Sequence, residues 1–158
     1  LFGCRQVVYT RREQLPINGL YRGDGQPTEQ GLVIRPLTFT HLTTVCDHYE
    51  HMDDTVYIKN RIACGEMFGA FVDGQLAGFI GTHEEGSIGL LEVLPEYRGR
   101  KIGKALETYM INYSLRLGHI PYGQVIEGNE RSMKLQESLG LYTSKSTVYW
   151  MEKPEENN

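Results

Sequence analysis

The sequence contains no apolar run that approaches the roughly 20 residues a membrane-spanning helix requires. No membrane partner is expected on that ground. Positive charge is also in deficit, with 16 Lys and Arg against 20 Asp and Glu for a formal net charge of -4. Nucleic-acid binding normally leaves a broadly basic face, so nucleic acid is not expected as a partner either. Cysteine is scarce: Cys4, Cys46 and Cys64 form no CxxC pair and have no histidine at metal-ligand spacing. Scattered thiols of this kind suit a reducing compartment, so the expectation is a cytoplasmic protein with no metal site. The opening LFGC resembles a bacterial lipoprotein cleavage box, but no charged and apolar signal region accompanies it. At 158 residues and 40% hydrophobic content, the chain has the material for one core and one domain.

What is present is a regular alternation of strand and helix patterns. After an arm with one strand (RQVVYT) and a Gly- and Pro-rich loop, LVIRPL reads as a strand. TFTHLTTVCDHYEHM and DDTVYIKNRIACG then read as two capped helices, the second closed by Gly65. MFGAFVDGQLAGFIGTH is a hairpin about Asp73-Gly74, and SIGLLEVL a third strand, giving an antiparallel meander. From Ile102 the apolar period becomes helical and ends at Gly118; PYGQVIE, NERSMKLQESLG and KSTVYWMEK follow as strand, helix and strand.

The unusual stretch is LPEYRGRKIGKAL, where Arg98, Arg100, Lys101 and Lys104 crowd a turn between a strand and a helix. A helix N-terminus offers unpaired N–H groups and the positive end of the dipole, so cations there oppose the dipole unless an anion joins them. Added to those N–H groups, the charge-assisted bonds of four cations suit a diphosphate better than a carboxylate. GRKIGKA is one residue short of a P-loop and ends in Ala105, so it has no hydroxyl for magnesium. A dinucleotide-binding turn fails too, because the preceding strands form a meander rather than a parallel βαβ unit.

With this turn in place, the sequence from about Leu32 to Trp150 resembles the GNAT superfamily of acyl-CoA N-acyltransferases. LEVLPEYRGRKIGKALE carries the resemblance, and PYGQVIEGNERSMKLQESLGL matches a later family motif, a strand followed by an Asn and a helix ending in LG. Together with GFIGTHEEGSIGLLEV, that later segment is similar to the glycine-acyltransferase-like branch. The resemblance implies an α+β (α/β) fold: a mixed central sheet, an antiparallel meander followed by β-α-β-α-β, and helices on both faces. It divides the chain into an N-terminal arm (1–31), an acetyltransferase domain (32–152) and a polar tail (153–158).

The implied activity is transfer of an acetyl group from acetyl-CoA to a primary amine of a small molecule, amino acid or peptide, by direct attack in a ternary complex. The alternative is a CoA-binding sensor without turnover. A homodimer is left open, and neither the acceptor nor the acyl-chain preference is encoded in any recognisable motif. By the same resemblance, Arg98, Gly99, Arg100, Lys101, Ile102 and Gly103 align to the family's R-x-x-G-x-G pyrophosphate loop, with Lys101 where relatives carry glycine. R-x-x-G-x-A also fits from Arg100 to Ala105, but the spacing from LPEY favours the first register. Lys101 is therefore expected to have negative φ, keeping its N–H available and adding charge, as does Lys104. The backbone of Leu91, Glu92 and Val93 is expected along the pantetheine arm, and Asn129 as a cofactor contact, an N-cap, or both.

Acetylating an amine requires removal of a proton that an alkylammonium holds up to a pH near 10, so a base is expected. Glu92, Glu85 and His83 are the main candidates, with Glu84 and Glu127 behind them. Glu92 stands in an apolar strand, and His83 and Glu85 at the turn between two central strands. Where some relatives carry a glutamate base and a tyrosine acid, this sequence has Gln124 and Gln136, which can do neither job. No cysteine lies on the central strand or loop to carry the acyl group.

Overall fold

A computed structural model describes residues 2–50 and 52–151; the expected polar tail lies outside the described residues. Seven strands form one mixed sheet: β1 (Phe2–Val8), β2 (Leu32–Pro36), β3 (Met67–Val72), β4 (Gln75–Thr82), β5 (Ile88–Val93), β6 (Tyr122–Ile126) and β7 (Tyr142–Trp150). The helices are α1 (Leu42–His48), α2 (Thr55–Ala63), α3 (Ile102–Arg116) and α4 (Glu130–Ser138). This reproduces the expected order, including the meander β3–β4–β5 and the β-α-β-α-β tail. Asp73 (φ 49) and Gly74 (φ 82) make the hairpin turn, because successive left-handed residues match the twist of the strands they join. Asp54 caps α2 by accepting from Tyr57 N–H at 3.0 Å, and Asn129 caps α4 by accepting from Ser132 N–H at 3.2 Å.

The two sheet faces build separate apolar layers, as the two-residue period of strands dictates. On one, Phe68, Ala70 and Ile80 meet Leu106, Met110 and Ile111 of α3. On the other, Met67, Phe71 and Phe79 meet Val45 of α1 and Ile58 and Ile62 of α2. The strand of the N-terminal arm is not peripheral. The spatial order is β2-β3-β4-β5-β6-β1-β7, so β1 lies antiparallel between β6 and β7 and joins them in the sheet. The rest of the arm crosses the α3 face without regular structure. It is tied there by fully buried Asn112, whose side chain accepts from Leu15 N–H (2.7 Å) and donates to Leu15 O (3.0 Å).

Two local features open the sheet at its centre. Between Gly89 and Glu92, β5 carries one residue more than β4 carries between Phe79 and Gly81, a β-bulge in which buried Leu90 is left-handed at φ 54. The parallel partner strands β5 and β6 then meet only at Ile88 and Gly123. There the backbones press together, since a Cβ on Gly123 would stand 2.9 Å from Ile88 O. Beyond this pinch no ladder joins the two strands, leaving a wedge-shaped cleft between them.

Candidate active site

The cationic turn stands directly past the end of β5. A short helical turn at Pro95–Tyr97 leads into Arg98, and α3 begins at Ile102. Gly99 is left-handed at φ 79, with open space where a Cβ would be. Lys101, the residue before α3, makes no side-chain cap, whereas Asp54 and Asn129 cap their helices. The first N–H groups of α3 are thus left for an anion. Arg98 folds back, its Nη2 3.3 Å from Glu92 Oε1 and its Nε donating to Val93 O, while Arg100 packs over the Tyr97 ring. Among the described residues no carboxylate pairs with Arg100, Lys101 or Lys104. Open backbone, uncapped amides and unneutralised cations together fit a diphosphate.

The expectation for Lys101 is corrected. Its backbone is left-handed (φ 61, ψ 21), the conformation a glycine would adopt, because the chain must reverse there to enter α3. This supports the register that puts Lys101 in the glycine position, and it shows that the loop geometry is kept against the preference of an L-residue. That preference is worth about 1–2 kcal/mol. Lys101→Gly should therefore stabilise the fold by up to about 1 kcal/mol, after the gain in unfolded-state freedom is subtracted, as measured by denaturant unfolding. The same variant should bind CoA a few-fold more weakly with a shallower salt dependence, because one cation is gone.

The cleft between β5 and β6 has a volume of about 620 Å³ and is lined by residues from both layers, among them Tyr49, Tyr57, His83, Glu107, Gln136 and Trp150. A larger groove of about 810 Å³ lies between the arm and the turn, lined by Arg22, Thr28, Arg100 and Lys101. None of the candidate bases lines that groove, whereas His83 and Glu85 line the smaller cleft.

On one wall, His83 Nδ1 is 2.7 Å from the Tyr57 hydroxyl, with the two rings stacked. Tyr57 also accepts weakly from Glu84 N–H, and Arg61 of α2 donates to the carbonyls of Thr82 and His83, fixing the strand end under the ring. Burial holds the His83 imidazole below its usual value; Glu85 works against this and Arg61 with it. A neutral imidazole at pH 7 is a competent proton acceptor. The ring lies over Gly89 of β5, where a Cβ would stand 2.7 Å from Nε2. Gly89→Ala should push the imidazole aside and lower kcat by up to about 10²-fold without weakening CoA binding, to be checked by steady-state kinetics beside calorimetry.

Tyr49 reaches the bulge from α1's end and is hydrogen-bonded to the Leu90 backbone; burial first, then Glu92, push its phenol up to about 12, so it stays protonated. On the opposite wall, Gln136 Nε2 donates to Glu107 Oε1 at 2.9 Å, and both side chains are buried. Burial pushes the Glu107 carboxyl up to about 7, against the lowering effect of that hydrogen bond.

The structure brings together His83, Glu85, Leu91 and Asn129 along the cleft, and Gly99, Arg100, Lys101 and Ile102 beside the turn. Glu85 is exposed and accepts from Ser87 Oγ. Glu92 faces the α1–α2 side, paired with Arg98 and outside the cleft lining. Glu127 is bound by Thr147 and Arg5 on the exposed surface, and Gln124 accepts from the Trp150 indole. Sequence reasoning missed Tyr49, Tyr57 and Glu107. The first two meet the site only through tertiary folding, but Glu107 was readable as a carboxylate inside the apolar stripe of α3, four residues after Gly103.

The sequence signature of the Acetyltransferase (GNAT) family matches residues 37–141, well over half of the chain. The chain belongs to the GNAT acetyltransferase family. Its fold is shared with solved GNAT and related structures. A Drosophila protein of 19% identity superposes with a TM-score of 0.73, covering 90% of this chain and 48% of that one. A GNAT-family acetyltransferase from Colwellia psychrerythraea, 15% identical, gives 0.67 with 91% and 53% covered. Naa50 of Arabidopsis thaliana, solved with the bisubstrate analogue CoA-Ac-MVNAL, is 22% identical and gives 0.59 with 70% and 82% covered. The chain spans about half the length of the first two. No curated protein sequence gives a significant match. Among the described residues of this GNAT domain, no helix is long and apolar enough to cross a membrane.

Proposed function

We propose that this chain is an acetyl-CoA-dependent N-acetyltransferase acting on a primary amine of a small molecule, amino acid or peptide. The observation that carries this reading is the alignment of three parts along one opened strand pair: the uncapped, cationic turn at Arg98–Gly103, the bulge at Leu90, and the His83–Tyr57 pair on the cleft wall. Bound acetyl-CoA would supply an activated thioester, at which a C–N bond to the acceptor forms as the C–S bond breaks. The backbone amides at the start of α3, with Arg100, Lys101 and Lys104, hold the diphosphate. Asn129 and the backbone of Leu91 to Val93 border the path of the pantetheine arm. His83 takes the surplus proton of the amine; the tautomer that donates Nδ1–H to Tyr57 leaves Nε2 free for it. Glu85 stands beside this base, and Glu92 positions Arg98 at the strand end.

The occurrence of a CoA–peptide analogue in the Naa50 structure is consistent with an amine at the end of an extended acceptor, and Trp150 and Tyr122 give this cleft an aromatic rim. Three free cysteines fit work in the cytoplasm. The test is thiol release from acetyl-CoA across a panel of amines, amino acids and peptides. Turnover with one class supports the reading. Tight CoA binding with no thiol release from any acceptor would replace it with the sensor role that Gln124 and Gln136 first suggested.

A further inference from the structure

The His83 wall accounts for the proton that leaves the amine, but its phenols hold their own protons too tightly to serve the departing sulfur well: burial pushes Tyr49 up to about 12 and raises Tyr57 as well. The opposite wall carries a group suited to that task. Glu107 projects from the second turn of α3, four residues after Gly103 of the diphosphate turn, and lines the same cleft as Leu91 and Asn129. Its carboxyl is held by Gln136 of α4 at 2.9 Å. A buried carboxyl clamped by an amide in the cleft wall is a costly arrangement unless the neutral acid is put to use.

We propose that Glu107 is the general acid of the transfer, protonating the coenzyme A sulfur as the C–S bond breaks, with Gln136 orienting its carboxyl. The proposal rests on the transferase reading above. The balance is complete: the amine nitrogen forms the C–N bond, the C–S electron pair goes to sulfur, Glu107 gives sulfur its proton, and its carboxylate is reprotonated from solvent. The second proton, lost by the amine, leaves through His83. Gln136 thus has a role although it cannot itself act as the acid: it supports a carboxyl delivered from the neighbouring helix.

The surroundings favour a proton kept on Glu107 near neutrality. Sharing the cleft lining with it are Leu91 of β5, Val125 of β6 and Ser132 and Gln136 of α4, none of them charged. The ionisable groups sharing the cleft are His83, Glu85, Tyr57, Tyr49, Tyr122 and Cys4; burial, opposed by the Gln136 hydrogen bond, brings the carboxyl to about 7. Transfer from such an acid to a thiolate, whose conjugate thiol titrates near 8.5, runs downhill.

The experiment compares the unsubstituted protein with Glu107→Gln in three measurements. At saturating amine, kcat of the unsubstituted protein should fall as pH rises through about 7, because the acid is lost. Glu107→Gln should lower kcat about 10- to 100-fold at pH 6 and erase that alkaline limb, with CoA affinity held within about twofold. The third readout needs no turnover. A carboxyl raised from 4.5 to about 7 stabilises the fold below pH 4.5 and loses that contribution as pH rises to about 7, so this part of the melting-temperature slope should vanish in the variant. Turnover indifferent to the substitution, with the slope removed, would show a structural carboxyl and overturn the proposal alone. A slope that survives would show that Glu107 is not the titrating group and overturn it equally. Absence of thiol release from the unsubstituted protein with every acceptor would overturn the transferase reading, and this proposal with it.

Discussion

Gly103→Glu should bind CoA at least about a hundredfold more weakly, a loss of roughly 3 kcal/mol, while melting no earlier than the unsubstituted protein. The two effects have opposite signs for separate reasons. Gly103 is the second residue of α3, and a Cβ there would meet only Val93 Cγ2 at 3.7 Å and Leu135 Cδ2 at 3.9 Å, ordinary contacts. Replacing glycine in a helix and adding an anion in its first turn both favour the fold, together by about 1 kcal/mol. The same anion occupies the space in front of the uncapped amides and neutralises Lys101 and Lys104. Calorimetric titration with CoA beside thermal unfolding separates the two. Unchanged affinity would remove the turn from the binding site, and an early melt would mean that the Val93–Leu135 side of the helix has no room.

The second large effect is expected at His83. His83→Gln should lower kcat by about 10²-fold at neutral pH and leave CoA affinity within about twofold, since the ring lies over Gly89 near the start of β5 and the turn follows that strand's end. The pH dependence gives the sign. The base works only as neutral imidazole, and burial depresses its titration below the usual 6.5, so kcat at saturating amine should hold through pH 6.5 and fall only on further acidification. In the variant that acid limb disappears. Retention of the limb with reduced kcat would move the base to another group, Glu85 being next to the same site. Paired with the alkaline limb expected from Glu107, the profile of the unsubstituted protein is a bell with its maximum between two oppositely displaced groups.

How much of this could be read from the sequence depended on how local each feature is. The strand-turn-helix around the cationic turn, the Asp73-Gly74 hairpin and the caps at Asp54 and Asn129 are encoded within a few residues, and all appear where the patterns put them. Lys101 was misread because residue type was allowed to fix φ. In the structure, the geometry of the reversal fixes φ and the side chain bears the strain. The Leu90 bulge left no trace in composition, since a buried leucine in a strand is unremarkable until its neighbour's register is known. His83 was visible as a candidate, but its partner Tyr57 sits on a helix 26 residues earlier, and the pairing exists only after α2 packs on the sheet. Placing β1 between β6 and β7 was likewise beyond any local pattern, because strand propensity says nothing about which edge receives the strand.

That insertion bears on how the molecule reaches its native state. Val8 faces Tyr122 and Phe2 faces Trp150, so a strand at one end of the described chain can find its partners only after nearly all the intervening residues have been made and roughly folded. Contacts of such sequence separation slow folding, and until they form β1 is an unpaired ribbon with no ladder to join. β7 is in the same position, since its only route into the sheet runs through β1. The last step of assembly should thus be a single closure in which both strands lock at once, sealing the cleft wall that carries Cys4, Val7 and Trp150. A fragment cut to the family signature at residues 37–141 would lack both strands of that closure, and would expose the edge of β6 to pairing with other chains.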